Sequence, residues 1–123
     1  MVERPKVRVG KSVAKQKITA RLNEFKDLGE NWDSGGADAV LPSTLLLAQK
    51  VADKLLELSV EIDFCVPMRN GGVQFEFRQN GECELEVHPT LELIFLRYDL
   101  AANLMSKEKT TLELLKNHVR QHP

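Results

Sequence analysis

Long apolar runs are missing from this sequence of 123 residues. The run from Leu45 to Ala48 is only four residues long, whereas a membrane-spanning helix needs about 20. No apolar stretch follows the charged N-terminus, as it would in a secretory signal. We therefore expect a cytoplasmic protein that has no membrane segment.

Cysteine, histidine and aromatic residues are also scarce. The two cysteines, Cys65 and Cys83, fall within predicted strands and form no spaced disulfide framework, so we expect buried thiols. His118 and His122 are four residues apart, but the glutamate of a zinc-protease motif does not lie between them. Aromatic residues make up 6% of the chain, without the array that stacks on nucleic-acid bases. The sequence predicts no metal site and no cofactor.

Catalytic patterns are equally hard to find. Gly10-Lys11-Ser12 matches the end of a phosphate-binding loop, but Pro5 stands where that loop requires its first glycine. Glutamates at positions 82, 84 and 86 alternate along a predicted strand, which favours a solvated acidic face over an acid–base site. We expect no catalytic residue and a protein that is not an enzyme.

Positive charge is concentrated at the N-terminus. Residues 1–21 carry seven basic side chains and one acidic, a net charge of +6, and the remainder carries −7. Residues 1–11 show no helical period and are interpreted as a flexible basic arm, or as an edge strand through Val7 and Val9, before a single domain over 12–123. Such an arm is typical of contacts with an anionic partner. Its candidate residues are Arg4, Lys6, Arg8, Lys11, Lys15 and Lys17.

Two segments after the arm have apolar residues at helical spacing. The first predicts a helix over residues 13–28, capped by Ser12 and ended by Gly29, with Ala14, Ile18, Leu22 and Phe25 on one face. The second predicts a helix over residues 43–59, capped by Ser43, with Leu47, Val51, Leu55 and Leu58 on its inner face.

Alternation of apolar and polar residues then predicts an antiparallel β-meander of three to four strands. The apolar faces are Ile62, Phe64 and Val66; Val73, Phe75 and Phe77; Cys83, Leu85 and Val87; and, on both sides of a strand over 92–98, Leu93 and Phe95 against Ile94, Leu96 and Tyr98. A C-terminal helix over 107–119 follows, with Leu112, Leu115 and Val119 on one face. The fold class is therefore α+β.

The hairpin after Phe77 has two possible registers. A two-residue turn at Asn80-Gly81 would pair Phe77 with Glu84 and spoil the apolar face. A three-residue loop at 79–81 pairs Phe77 with Cys83 and keeps every apolar side chain on one side. We predict the second register.

Residues 29–42 form a loop rich in glycine and aspartate around one large side chain, Trp32. Asn31, Trp32 and Asp33 are a candidate partner-binding loop, since constrained loops often carry function. The structural alternative, which we favour, is that Trp32 fills the edge of the core while Asn31 and Asp33 bond nearby backbone groups.

The segments Asn31-Trp32-Asp33-Ser34-Gly35-Gly36-Ala37 and Gly71-Gly72-Val73 together resemble a family of small bacterial proteins of unknown function. That family shows Asn-Trp-Asp-Gly-Tyr-Gly-Ala, then a helix, a Gly-Gly-Val strand opening and a β-meander; Ser34 and Gly35 depart from its Gly-Tyr pair. The resemblance covers residues 18–99 and implies a shared fold but no activity. For some members it implies a link to toxin–antitoxin systems or mobile elements.

Three functional classes follow from these patterns. We expect a non-enzymatic protein-interaction domain that binds either another protein or a second copy of itself, as a homodimer. The candidate interface residues are Ile94, Leu96 and Tyr98, since these face away from the core. The alternative is nucleic-acid binding through the basic arm, and the third is a small hydrolase that uses the Trp32 loop. Either the C-terminal helix or a second copy of the chain should cover the outer face of the fourth strand.

Overall fold

The architecture is known from a computed structural model, which describes residues 10–119. The elements are α1 (Lys11–Phe25), α2 (Pro42–Glu57), β1 (Ile62–Pro67), β2 (Val73–Arg78), β3 (Glu82–Val87), β4 (Leu93–Tyr98), β5 (Leu104–Thr110) and α3 (Leu115–Val119). The α+β class is confirmed, but the sheet has five strands instead of three to four. No helix in this part of the chain is long and apolar enough to cross a membrane.

Both long helices begin earlier than expected. Gly10 is the N-cap of α1, so Ser12 lies inside the helix, and α1 ends at Phe25 in a series of tighter turns before Gly29. Leu41 is the N-cap of α2, and Pro42 occupies the first helical position. Proline suits that position because its ring presets the helical φ and its missing N–H would have had no helical partner.

The strand order in the sheet is β1-β2-β3-β4-β5, and every neighbouring pair is antiparallel. The predicted register of the central hairpin is confirmed: Phe77 pairs with Cys83, and Phe75 pairs with Leu85. Gly81 has a φ of +120°, and a Cβ there would lie 2.5 Å from the carbonyl oxygen of Tyr98. Only glycine fits this close approach.

One face of the sheet is covered by the helices, and the core lies between these two layers. Its fully buried side chains include Val51 and Leu55 of α2 and the inward-facing residues of β2 and β3. Leu115 and Val119 of α3 belong to the same cluster. The third helix therefore packs on the core side, and the opposite side, here called the outer face, is not covered by any element within residues 10–119.

The predicted C-terminal helix over 107–119 is wrong in its first half, because residues 107–110 belong to β5. Asp99 Oδ1 accepts hydrogen bonds from the N–H groups of Ala101 and Asn103, which closes a tight turn after β4. The chain then runs back and pairs Leu96 with Lys107. Pairing with β5 gives hydrogen-bond partners to the backbone N–H and C=O groups on this side of β4. A helix over residues 107–110 would have left those groups unpaired.

A β-bulge changes the face that β1 presents. The register of its pairing with β2 shifts between Ile62 and Phe64, so Ile62 packs against the core while Phe64 lies on the outer face, 62% exposed. The buried side chain of the strand is Cys65. The predicted common apolar face of Ile62, Phe64 and Val66 is therefore wrong, since an inserted residue reverses the alternation.

Candidate functional sites

The loop that precedes α2 is organised by its own polar side chains. Asp33 Oδ1 accepts hydrogen bonds from the N–H groups of Gly35 (2.8 Å) and Ala37 (3.0 Å), and Asn31 Oδ1 accepts one from Gly36 (2.7 Å). The two bonds to Asp33, with the Arg69 guanidinium beside it, hold the pKa of this carboxyl below its usual value. The predicted hydrogen bonds of Asn31 and Asp33 to nearby backbone groups are confirmed.

Trp32 is half-buried and is not part of the main core cluster. Its indole Nε1 donates a hydrogen bond of 2.8 Å to the carbonyl oxygen of Asp38. The expectation that Trp32 fills the edge of the core is therefore wrong: the ring closes the loop on itself across six residues. A polar ring edge favours such a position, because the N–H finds a partner that the apolar core does not offer.

This loop docks on the turn between β1 and β2. Arg69 Nε lies 2.6 Å from Asp33 Oδ2, and the same guanidinium donates to the carbonyl oxygen of Gly35. Gly71 has a φ of +87°, and a Cβ there would lie 2.8 Å from the carbonyl oxygen of Ala39. The loop that contains Asn31-Trp32-Asp33 is thus held against the turn that leads into Gly71-Gly72-Val73.

Three polar side chains that were not predicted to interact form a row of contacts on the turns beside this loop. Asn70 Nδ2 is 3.2 Å from His88 Nδ1, and His88 Nε2 is 2.8 Å from Glu86 Oε1. A histidine held by a carboxylate can act as a general base. The i,i+2 spacing of Glu86, on β3, and His88, just after the strand, was the sequence signal for this pair.

The outer face shows a fixed order of side-chain chemistry from strand to strand. Residues paired across the sheet share a face, and one such row reads Phe64, Glu76, Glu84, Leu96, Lys107. The next row reads Val66, Gln74, Glu86, Ile94, Lys109. An acidic strand β3 and a basic strand β5 therefore lie on either side of the apolar side chains of β4.

The predicted interface residues all lie on this outer face, but they differ in exposure. Leu96 is only 7% exposed, while Ile94 and Tyr98 are half-buried. Partial burial raises the pKa of Glu84, and the nearby Glu76 and Glu86 raise it further. Tyr98 also has a raised pKa, because of burial and the adjacent Glu84. The acidic side of the face is therefore short of positive charge.

Further apolar side chains are exposed next to this face, where β4 turns into β5. Leu100 at the turn is 99% exposed, and Leu104 and Met105 on β5 are exposed as well. Tyr98 pairs with Leu104, which extends the apolar character of β4 to the tip of the hairpin. These residues were not among the predicted interface residues, because residues 104–106 were not predicted to form a strand.

The basic residues of the arm are only partly within the described chain. Lys11, Lys15 and Lys17 lie on the exposed first half of α1, whose buried side chains, Leu22 and Phe25, come later. Lys15 Nζ is 3.7 Å from Asp53 Oδ1 of α2. The candidate residues Arg4, Lys6 and Arg8 lie outside the described residues.

The cysteines are buried and free, as expected. Burial raises the pKa of Cys65 to about 12 and that of Cys83 above its usual value, so both thiols are protonated at neutral pH. Among residues 10–119, no group of three or more His, Cys, Asp or Glu side chains is arranged to hold a metal ion.

Comparison with protein-family models, with curated proteins and with solved structures gives no match to this chain. The features of the structure that bear on function are therefore the Trp32 loop, the outer face of the sheet and the exposed lysines of α1.

Proposed function

We propose that the chain is a non-enzymatic protein-interaction domain that binds through the outer face of its sheet. The observation that carries this proposal is the placement of α3. Leu115 and Val119 enter the core, so this helix leaves Ile94 and Tyr98 on the opposite side without a covering element in the described chain. A sheet whose second face carries an apolar strand is typical of an interface.

The polar geometry of the Trp32 loop supports a structural role for it over a hydrolase site. Asp33 already accepts two backbone hydrogen bonds and pairs with Arg69. A general base needs a free lone pair and a pKa near the working pH, whereas the pKa of Asp33 is lowered. The pair of Glu86 and His88 is the better catalytic candidate, but no nucleophile stands beside it among the hydrogen bonds of the described residues.

A second candidate function is nucleic-acid binding through α1 and the arm. It is favoured by the exposure of Lys11 and Lys17 on the first turns of α1, in direct continuation of the basic residues before them. Phosphate contacts of this kind lose affinity steeply as salt rises. A gel shift at two salt concentrations, with Lys11→Ala/Lys17→Ala as the variant, tests it. If the variant binds nucleic acid as the wild type does, or if the affinity of the wild type does not change with salt, this candidate function is wrong.

The main proposal is tested with a photo-crosslinking amino acid at position 94 in cells that produce the protein. We expect a discrete adduct of fixed mass from position 94, because that half-buried side chain belongs to the apolar strand of the outer face. The matched control carries the same probe at position 46, where Leu46 is 63% exposed on the helix layer. Absence of an adduct at 94, or the same adducts at both positions, would contradict the proposal.

The family resemblance adds a biological setting to this proposal. A bacterial origin, a cytoplasmic location and a link to toxin–antitoxin systems or mobile elements remain predictions from the sequence. In such a setting a binding domain without chemistry of its own would act by engaging another protein chain.

A further inference from the structure

We infer that the outer face pairs with the outer face of a second copy of this chain, across a two-fold axis that runs parallel to β4. This inference rests on the proposed function, since it names the partner of the same surface. It is carried by the order of charge across β3, β4 and β5.

Self-complementarity follows from the position of the apolar strand between two opposite charges. On the outer face β3 presents Glu84 and Glu86, β4 presents Ile94 and Leu96, and β5 presents lysines at the matching positions. Rotation by 180° about an axis over β4 places β4 on its own copy and exchanges left for right. The acidic strand of each chain then faces the basic strand of the other.

The rows of the sheet make this pairing specific for individual residues. A rotation axis parallel to the strands keeps each row at its own height along the strand. Glu84 and Lys107 share a row with Leu96, so Glu84 faces Lys107 of the partner subunit. One row along, Glu86 faces Lys109 of the partner subunit. Sheets that pack face to face are about 10 Å apart, a gap that a glutamate and a lysine can span together.

Other symmetric arrangements bring like charges together. A two-fold axis parallel to the sheet but perpendicular to the strands places β3 on β3 of the second copy. Glu84 then faces the carboxylates of that strand. Edge-to-edge pairing of two β5 strands centred on Lys107 sets that lysine against itself, and charged side chains on edge strands are a common barrier to such pairing. Charge therefore selects the face-to-face arrangement with the axis along β4.

Two of the four charged positions already have partners within their own chain. Glu86 contacts His88, and Lys109 Nζ lies 2.9 Å from Glu92 Oε2. Within residues 10–119, Glu84 and Lys107 take part in no ion pair. Pairing of Glu84 with the second copy would supply the positive charge that its crowded carboxylates lack.

The contact is small, because only three strands of each sheet overlap. Three strands spaced about 4.8 Å apart and six residues long cover roughly 14 Å by 20 Å. This area, roughly 280 Å² on each chain, is well below the about 800 Å² that each partner buries in a standard specific interface. We therefore expect a weak dimer, with a dissociation constant on the order of 10 μM or more, that forms and separates quickly.

The experiment is a charge exchange between two variants of the full chain, Glu84→Lys and Lys107→Glu, with the mass measured by sedimentation across a concentration series. In each variant alone, the two symmetry-related pairs between positions 84 and 107 become like-charged, and we expect the dissociation constant to rise roughly tenfold or more. In an equimolar mixture one chain is basic at both positions 84 and 107 and the other is acidic at both, while Glu86 and Lys109 are unchanged in each, so we expect a heterodimer at least as tight as the wild type.

Several results would overturn the inference: a wild type that stays monomeric at about 500 μM, single variants that dimerise as the wild type does, or a mixture that stays monomeric although both variants keep the wild-type circular dichroism spectrum. Should Glu84→Lys fail to fold, Glu84→Gln mixed with Lys107→Glu restores one opposite-charge pair between positions 84 and 107, so its heterodimer should be weaker than the wild type but tighter than either variant alone. The adduct at position 94 separates the two proposals. An adduct with twice the mass of the chain supports both proposals. An adduct of a different mass, together with a wild type that is monomeric, supports the proposed function but shows that the partner is not a second copy of the chain.

Discussion

Arg69 and Asp33 are 36 residues apart in sequence and are joined by a contact of 2.6 Å between Nε and Oδ2. The pair connects the loop before α2 to the turn that begins β2. Asp38 N–H also donates to the carbonyl oxygen of Arg69, at 2.8 Å, so side chain and backbone bind the same two segments together. The loop before α2 and the turn between β1 and β2 are therefore joined through Arg69.

Replacement of Asp33 by asparagine should lower stability in a pH-dependent way. The folded-state pKa of Asp33 is lower than the unfolded value, so its contribution is complete above the unfolded pKa of about 3.9 and is lost as the pH falls through the folded pKa. We expect the urea midpoint of Asp33→Asn to lie below that of the wild type at pH 7 and to approach it as the pH falls towards and below the folded-state pKa. A difference that is the same at every pH would show that the charge of Asp33 contributes nothing.

Alanine substitutions at three glycines distinguish the energetic cost of backbone strain from that of a steric clash. Gly29→Ala should be neutral, because Gly29 has neither a positive φ nor an atom within 4 Å of its Cβ position. Gly36 has a φ of +90° but open space, so Gly36→Ala should cost about 1–2 kcal/mol. Gly71 has both a φ of +87° and a close carbonyl oxygen, so Gly71→Ala should cost about 3 kcal/mol or more. Chemical denaturation measures all three, and equal costs at 36 and 71 would contradict the docking of the loop.

Trp32→Ala should cost about 1–3 kcal/mol, less than the 3–5 kcal/mol typical of a fully buried aromatic residue. The side chain is half-buried, and its hydrogen bond to Asp38 contributes about 1 kcal/mol. Trp32→Phe, which keeps most of the ring and loses the N–H, should cost less than the alanine. Phe75→Ala, at a fully buried position, provides the reference for a core residue. A loss at Trp32 equal to that at Phe75 would restore the interpretation of Trp32 as a core residue.

Removal of residues 1–9 should leave the melting temperature within about 5 °C of the full chain, or roughly 1 kcal/mol for a domain of this size. The reason is that α1 starts after them, with a hydrogen bond of 2.9 Å from Ala14 N–H to the carbonyl oxygen of Gly10. Calorimetry of both chains measures the difference. A loss well beyond that limit would favour the interpretation of Val7 and Val9 as an edge strand.

The parts of the fold that the sequence predicted are those where one face of an element is buried. Phe77 and Cys83 had to share a face, which fixed the hairpin register, and α2 followed from its wide apolar stripe. β5 could not be predicted in this way. Lys107, Glu108 and Lys109 are all exposed, so no alternation marks the strand, and only pairing with β4 makes these residues extended.

The candidate sites were predictable to different degrees. The polar roles of Asn31 and Asp33 followed from local turn chemistry, because the bonds that they make are within six residues. The contact of Asp33 with Arg69 was not predictable, since it depends on how the loop docks. The bulge that turns Phe64 outward left no mark in the sequence, because the residues around it alternate as in a regular strand.

The strand order has a consequence for how the protein is made. Each strand pairs with the one that precedes it in the chain, so the sheet can grow in the order of synthesis, and every new strand finds its neighbour already in place. The acidic and apolar strands β3 and β4 emerge before β5, the strand that supplies the lysines. In the proposed dimer, a nascent chain therefore presents its full charge pattern to a second copy only after β5 has emerged and paired with β4, so assembly follows completion of the sheet.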